Sequence, residues 1–147
     1  MNFLLDEFLP YQLSTASNAV SDLIASEYKS RFGLKIPEWR VMAVLGTRGA
    51  STQRHLVEAT LMDKVTVNRA VKTLVDRALL ERSPNSADGR SHHLLLSSTG
   101  RDLYGQILPA AQAMDRKIMA VLSEEEKAEL SAMLAKIKES ADTIARA

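Results

Sequence analysis

One short segment of the chain concentrates side chains that can hydrogen-bond to nucleic acid or carry positive charge. They fall on one face of a predicted helix: Lys64, Thr66, Asn68, Arg69, Lys72 and Thr73. Asparagine and arginine can form paired hydrogen bonds with the edges of adenine and guanine, and lysine neutralises phosphate. These six side chains are therefore predicted to contact DNA, with the helix in the major groove. A plain solvated surface remains the alternative when this helix is considered alone.

The opposite face of this segment is apolar, and the pattern of its residues predicts a helix over residues 64–77. Its members recur at three- and four-residue spacings: Val67, Ala70, Val71, Leu74 and Val75. Such a stripe predicts an amphipathic helix buried on one side. Asp63 precedes it as a candidate N-cap.

A two-turn helix is predicted just before it, from a cap at Ser51 or Thr52 to about residue 59. Together the two helices form a helix-turn-helix. The N-terminus of the first one offers free backbone amides, which bind anions. Thr52, Gln53 and Arg54 are therefore predicted to contact DNA phosphates.

Two short strands are predicted after the helix-turn-helix, at residues 79–83 and 92–97. The polar segment between them contains proline, asparagine and an Asp88-Gly89 turn pair. An isolated two-stranded hairpin is not stable in water. The hairpin is therefore predicted to pack beside the helices as a wing.

Helices are predicted on both sides of this region. Residues 7–32 are predicted to form a long amphipathic helix ended by Gly33, and a shorter helix runs from Pro37 to about residue 45. Gly46 and Gly49 are predicted to end that shorter helix.

After the strands, a helix over residues 99–121 is predicted to be interrupted or kinked near Pro109. Ser123 and Glu126 form a capping box that opens a final helix. Its apolar side chains recur at four-three spacing, as in a coiled-coil seam: Leu130, Leu134, Ile137, Ala141 and Ile144.

Composition narrows the class of protein. The 147 residues are enough for one domain, and the net charge is only +1. Residues 52–101 nevertheless carry eight basic and five acidic side chains, so the positive surplus lies on the central segment. No secretory signal or membrane span is recognisable, which predicts a cytoplasmic protein without a membrane partner.

The sequence predicts neither catalysis nor a bound cofactor. Cysteine is absent, which excludes disulfides and thiolate metal sites. The histidines His55, His92 and His93 have no metal-ligand spacing, and the glycines match no nucleotide-binding fingerprint. We therefore expect no metal site, no cofactor and no enzymatic activity.

Particular residues within this order of elements resemble the MarR family of winged helix-turn-helix regulators. The resemblance rests on residues 67–69 (VNR), 79–82 (LLER), Asp88 with Arg90, Leu94, Leu96 and 98–100 (STG). It covers about fifty residues, and the flanking helices fit the family layout over nearly the whole chain. Two positions depart from the family pattern. Asn68 stands where serine is common, so the family's operator sequence does not carry over. Ala78 stands where glycine is usual, which predicts a different or slightly strained turn at the helix end.

The resemblance implies a mainly α fold with a small β-wing. It implies one MarR-like domain over residues 1–147, with dimerisation helices at 1–33 and 101–147 and the winged helix-turn-helix region at 37–99. The partners implied are double-stranded DNA with a palindromic operator and a second copy of the chain. Arg90 is implied to enter the minor groove, with Asp88 orienting its guanidinium. A surface ion pair, and apolar stripes that pack within one chain, are the alternatives.

Regulators of this family commonly release DNA when a small molecule binds, often an aromatic or phenolic acid. Candidate ligand-binding residues are Tyr11, Asn18, Trp39 and Arg40, with Arg40 suited to a carboxylate and Trp39 to an aromatic ring. The alternative is that Trp39 belongs to the core and Arg40 forms an internal salt bridge. Residues 17–28 and 32–40 are also similar to regulators of aromatic-acid catabolism, some of which respond to hydroxycinnamoyl thioesters.

Three functions stay open on the sequence. The first is a regulator, expected to be a repressor, that a ligand releases from DNA. The second is an effector-independent winged-helix DNA-binding protein, and the third is a protein-interaction module that does not bind DNA. Neither the operator, the regulated genes nor the effector can be read from the residues.

Overall fold

The computed structural model describes residues 2–84 and 92–147, except for the side chain of Pro84. The chain divides into two compact units, residues 1–110 and residues 111–147. A short 3-10 turn at Leu5–Glu7 precedes the main elements. These are α1 (Leu9–Phe32), α2 (Ile36–Arg48), α3 (Gln53–Thr60), α4 (Lys64–Asp76), β1 (Leu80–Pro84), β2 (His92–Leu96), α5 (Ser98–Met119) and α6 (Glu124–Arg146). The predicted fold class, mainly helical with a two-stranded wing, is confirmed.

Helix α1 ends at Gly33, as predicted. Gly33 adopts a left-handed conformation with φ 65°, and its N–H donates to the Lys29 carbonyl at 3.1 Å. Arg77 completes this helix end, because its guanidinium donates to the carbonyls of Gly33 (3.0 Å) and Phe32 (3.3 Å). These two bonds join the end of α1 to the end of α4.

Helix α2 does not stop at Gly46; that prediction was wrong. The helix continues to Arg48 and ends at Gly49, whose φ is 81°. A Cβ atom at position 46 would collide with the ring of Tyr104. Glycine is therefore present at this position to allow close packing of α2 on α5.

The helix-turn-helix is formed by α3 and α4. Thr52 caps α3 by accepting the His55 N–H at 3.1 Å, and Asp63 caps α4 by accepting the Thr66 N–H at 2.8 Å. Between them Leu61 takes a left-handed conformation with φ 58° and ends α3. Both predicted N-caps are confirmed.

Residues 1–110 contain the hydrophobic core. Its largest fully buried side chains come from the α1–α2 connection, α2, α3, α4, β2 and α5: Leu34, Val41, Met42, Leu56, Val67, Val71, Leu74, Leu94 and Ile107. Three of these lie on the apolar stripe of α4, and Ala70 of the same stripe is also buried. The core thus fixes which face of α4 points outward.

Strands β1 and β2 pair antiparallel, with Leu80 opposite Leu96 and Pro84 opposite His92. Ser51 extends this sheet by exchanging two backbone hydrogen bonds with Leu94, at 3.0 and 2.8 Å. The wing is thereby attached to the loop that precedes α3.

A tight connection joins α4 to the wing. Ala78 has φ 59°, which confirms the altered helix end predicted at this position. The Ser97 hydroxyl donates to the Ala78 carbonyl at 2.7 Å and accepts the Gly100 N–H at 3.0 Å. Gly100 is buried, and a Cβ atom there would collide with the Leu79 carbonyl oxygen.

Helix α5 begins in the first unit and ends in the second. It is one continuous element with Pro109 inside it. Proline cannot donate to the carbonyl four residues earlier, so the hydrogen-bond ladder lacks one bond at this point.

In the second unit, the predicted capping box opens α6. Ser123 and Glu126 exchange hydrogen bonds of 2.9 and 3.1 Å. The seam residues along α6 are largely exposed, with Leu134 at 42%, Ile137 at 51% and Ile144 at 72%. No helix of residues 2–84 and 92–147 is long and apolar enough to cross a membrane.

Candidate nucleic-acid interface

Helix α4 exposes a polar and cationic face opposite its buried stripe. Five of the six predicted contact residues on this helix are exposed: Lys64, Asn68, Arg69, Lys72 and Thr73. Within the described part of the chain, Arg69 forms no ion pair, so its guanidinium is available to an outside acceptor. The face therefore offers amide and cationic donors to a partner.

Thr66 is the partly buried member of this set. Its N–H and its hydroxyl both donate to the Asp63 carboxylate, at 2.8 Å each. These hydrogen bonds, the backbone one foremost, hold the pKa of Asp63 below its ordinary value of 3.8. The Thr66 hydroxyl thus donates its proton to the Asp63 carboxylate, and its oxygen can only accept a further hydrogen bond.

The start of α3 lies beside the start of α4. A groove of about 300 Å³ is lined by residues of both helices: Gln53, Arg54, Val57, Lys64 and Asn68. The structure thereby brings two of the residues predicted for phosphate together with two predicted on the recognition helix. The third predicted phosphate residue, Thr52, uses its hydroxyl as the cap of α3.

Two of the predicted cations have acidic neighbours on their own helix. Arg54 lies 3.5 Å from Glu58, and Lys72 lies 3.2 Å from Asp76. Exposed pairs at this spacing contribute roughly 0.3–0.5 kcal/mol. A phosphate can replace such a weak partner at little cost.

Two other basic residues of the central segment have internal roles. Arg77 caps the end of α1, and Arg101 donates to the Leu96 carbonyl at 3.1 Å. Both guanidinium groups are therefore engaged with backbone carbonyls, although both residues remain exposed. Side-chain type alone does not predict these hydrogen bonds.

Val65 lies on the same face and was not among the predicted contacts. It is 57% exposed and precedes Asn68 and Arg69 by three and four residues. The spacing of three and four residues already placed Val65 on this face. The prediction missed it because it considered only hydrogen-bonding and charged side chains.

The wing residues Asp88 and Arg90 lie outside the described residues. Their predicted minor-groove role stays a prediction from the sequence. The two strands that lead into and out of this segment are described and paired.

The four candidate ligand residues differ in environment. Tyr11 and Asn18 are exposed on α1, and Arg40 is exposed on α2. Trp39 is half-buried, with Tyr28 edge-on at 5.3 Å and Tyr104 stacked at 6.2 Å between ring centroids. Burial raises the pKa of Tyr28 above its ordinary 10.0.

The structure agrees in part with the alternative, in which Trp39 belongs to the core and Arg40 forms an internal salt bridge. Trp39 packs in the aromatic cluster of Tyr28 and Tyr104, as a core residue would. Arg40 forms no salt bridge with any residue that the structure describes. The guanidinium is therefore open to an outside carboxylate.

A larger cavity lies next to this aromatic cluster. It has a volume of about 490 Å³ and is lined by residues of α2, β2, α5 and the α2–α3 loop: Leu45, Gly46, Gly49, Ala50, Leu95, Leu96, Arg101, Tyr104 and Gly105. None of the four candidate ligand residues lines it, although Tyr104 stacks on Trp39. In the 2–84 and 92–147 ranges, no three acidic or histidine side chains form a metal-binding group.

Comparison with known proteins agrees with this geometry. A model of the MarR family matches residues 32–91. The regulator PecS of Dickeya dadantii is 28% identical over 120 residues, which span 80% of this chain and 70% of PecS. A probable transcriptional regulator from Pseudomonas aeruginosa has a solved structure with 31% identity and a TM-score of 0.82, covering 91% of this chain and 99% of that one.

A further solved structure concerns the mechanism for regulation of DNA binding of BpsR, from Bordetella bronchiseptica, by 6-hydroxynicotinic acid. It superposes with a TM-score of 0.87 at 23% identity, covering 94% of this chain and 98% of that one. This likeness shows the fold. Taken together with the exposed α4 face and the paired wing, these matches show that the chain belongs to the MarR family of DNA-binding transcriptional regulators, which are not enzymes.

Proposed function

We propose that the protein is a homodimeric repressor that binds a palindromic operator and is released by a small aromatic acid or its acyl-thioester. The observation that carries the proposal is the exposed face of α4, where Asn68, Arg69 and Lys72 lie opposite a stripe whose Val67, Ala70, Val71 and Leu74 are buried. A recognition helix needs this arrangement, because its inner side must anchor it while its outer side contacts base edges.

Each group of predicted residues has a role in this proposal. Asn68 and Arg69 contact bases, whereas the groove residues Gln53, Arg54 and Lys64 contact phosphates, as do Lys72 and Thr73. Thr52 and Thr66 act mainly by holding the helix N-termini that face the DNA. Arg90 enters the minor groove with Asp88 beside it.

The apolar faces of α1 and α6 favour a homodimer. On α1 the side chains of Leu9 and Leu23 are 74% and 49% exposed, and α6 exposes its seam residues Ile137 and Ile144. Exposed apolar rows on two long helices are costly in water and are covered by a second copy in our proposal. Light scattering should therefore give twice the chain mass of 16.2 kDa. A mass of one chain at micromolar concentration contradicts the dimer.

The effector is proposed to be an aromatic carboxylate. The exposed guanidinium of Arg40 suits the carboxylate, and Trp39 offers an aromatic surface next to it in sequence. The regulation of BpsR by 6-hydroxynicotinic acid supports this ligand class for a protein of the same fold. Tyr11 and Asn18 complete the proposed set from α1.

The test begins with selection of binding sites from random duplexes, followed by fluorescence anisotropy with the selected operator. We expect a two-fold symmetric site whose affinity falls by about 10³ or more between low and moderate salt, as several phosphate contacts require. Arg90→Ala should weaken binding strongly while the Tm stays nearly unchanged. A loss of folding would instead indicate a structural pair with Asp88.

The same complex tests the effector. Benzoate-type acids and a coenzyme A thioester are titrated into the operator complex, and Arg40→Ala serves as the matched variant. Release by an acid in the wild type but not in Arg40→Ala supports the proposed site. No release by any compound favours an effector-independent DNA-binding protein, and no DNA binding at low salt favours a protein-interaction module.

A further inference from the structure

Two large apolar side chains of the winged helix-turn-helix region are exposed instead of packed in its core. Among large apolar side chains in the described part of residues 24–107, only Leu61 (72%) and Val65 (57%) are exposed. Leu61 ends α3, and Val65 lies in the first turn of α4. Scattered exposed apolar residues are common on protein surfaces. Here Val65 lies in the first turn of the proposed recognition helix, and Leu61 lies three residues before that helix begins.

Val65 contributes little to the fold at this position. Valine is a weaker helix former than alanine, because its branched side chain is restricted against the preceding turn. At 57% exposure it also buries only part of its apolar surface. Neither helix propensity nor packing within the chain therefore explains a valine here.

The position of Val65 indicates a partner. Asn68, Arg69 and Lys72 follow it by three, four and seven residues, so all four side chains share the outward face of α4. The N-terminal residues of a recognition helix are the ones that contact base edges. Val65 thus lies within the surface proposed to enter the major groove.

We propose that Val65 contacts the C5-methyl group of a thymine and thereby determines base preference at one position in each half-site. Thymine is the base that presents a methyl group in the major groove, and valine can offer only apolar contact. This inference rests on the DNA binding proposed above, and it assigns specificity to a residue that makes no hydrogen bond. Lys64 supplies affinity through a phosphate, whereas Val65, like the base-contacting Asn68 and Arg69, supplies a base preference.

The test replaces thymine by uracil, one position at a time, in the selected operator. Uracil lacks the methyl group and keeps the same hydrogen-bonding edge, so a change in affinity reports the methyl contact alone. With the wild type, one symmetric pair of positions should lose about fourfold in affinity per half-site, the value of one buried methylene-sized group. With Val65→Ala, which removes the two methyl groups beyond Cβ, the difference between the thymine and uracil duplexes should shrink at these positions.

Leu61→Ala is the matched control, because it removes the other exposed apolar side chain while leaving α4 intact. It should keep the uracil effect at the same positions. Both variants alter exposed side chains, so their Tm values should stay close to that of the wild type.

Three results overturn the inference: a wild type insensitive to uracil at every position, a Val65→Ala variant that retains the full uracil effect, or loss of the effect only in Leu61→Ala. Each of these leaves DNA binding itself in place. Failure to bind any selected duplex instead overturns the proposed function, so the two failures are distinguishable.

Discussion

Asp63 binds Thr66 with both of its carboxylate oxygens. Oδ1 accepts the Thr66 N–H and Oδ2 accepts the Thr66 hydroxyl, each at 2.8 Å. This pair holds the first turn of α4, the turn that carries Lys64 and Val65 towards the proposed DNA surface. The first turn of the recognition helix is thus held by one ionised side chain.

The Asp63 cap predicts a pH-dependent stability. The Thr66 hydrogen bonds, which favour the ionised form, hold the pKa of Asp63 below its ordinary 3.8. The cap therefore contributes its full stability above pH 3.8 and loses it as the pH falls through the lower, folded-state pKa. Asp63→Asn provides the comparison, because asparagine can also cap a helix but does not titrate.

We expect the Tm of the wild type relative to Asp63→Asn to be constant between about pH 7 and pH 5 and to decline below about pH 4. Thermal unfolding followed by circular dichroism at a series of pH values measures this difference. The other carboxylates titrate in both proteins and cancel. A difference that does not change down to about pH 3 would contradict the assignment.

Two glycines on α5 should respond oppositely to alanine. Gly100 is buried, and an added Cβ atom would collide with the carbonyl oxygen of Leu79. Because this oxygen belongs to the backbone, no side-chain rotation can relieve the collision. We expect Gly100→Ala to lower the free energy of unfolding by about 1–3 kcal/mol. At Gly105 a Cβ atom would have no neighbour within 4 Å, so Gly105→Ala should be neutral or stabilising by up to roughly 1 kcal/mol. Urea denaturation of both variants measures the contrast, and equal effects would refute it.

Ala78 predicts a stabilising substitution. Its φ of 59° lies in the left-handed region, which costs an L-residue roughly 1–2 kcal/mol and glycine little. Part of this gain is offset because glycine makes the unfolded chain more flexible. We expect Ala78→Gly to raise the free energy of unfolding by roughly 0.5–1 kcal/mol.

Ala43→Gly is the matched control for Ala78, because Ala43 lies inside α2. There glycine should lower the free energy of unfolding by about 1 kcal/mol. Urea denaturation again provides the measurement. Destabilisation by both substitutions would show that the conformation at position 78 is not strained.

The side chains on the exposed face of α4 are predicted to make two kinds of contribution to DNA binding, base discrimination and phosphate affinity. Asn68→Ala and Arg69→Ala should each reduce discrimination at particular base pairs by about 1–3 kcal/mol. Lys72→Ala should weaken all duplexes alike and reduce the slope of log affinity against log salt by about 1 for each phosphate that the variant no longer neutralises. Anisotropy titrations with single-base operator variants over a salt series separate these effects. A base-specific loss in Lys72→Ala would reverse the assignment.

Sequence periodicity predicted most of the elements because it reports local physics. The buried stripe at Val67, Val71 and Leu74 follows directly from a 3.6-residue repeat. Caps at Asp63 and Ser123 were likewise predictable, since each depends on residues only three positions apart. These features therefore needed no knowledge of the tertiary structure.

Longer-range contacts decided what periodicity could not. Gly46 was predicted to end α2, yet it lies inside the helix because the ring of Tyr104 occupies the space of a side chain. Arg77 counted as part of a basic surface, whereas it caps α1 from a position 44 residues along the chain from Gly33.

The sequence by itself determined that a polar, cationic helix face would exist and that Asn68, Arg69 and Lys72 would share it, because helical spacing alone brings them together. Only the tertiary structure decided which cations hydrogen-bond to carbonyls within the chain, which residues of α3 and α4 line a common groove, and that Val65 is exposed beside them. The physical reason is that exposure and pairing depend on the packing of distant segments, which no local pattern of residues encodes.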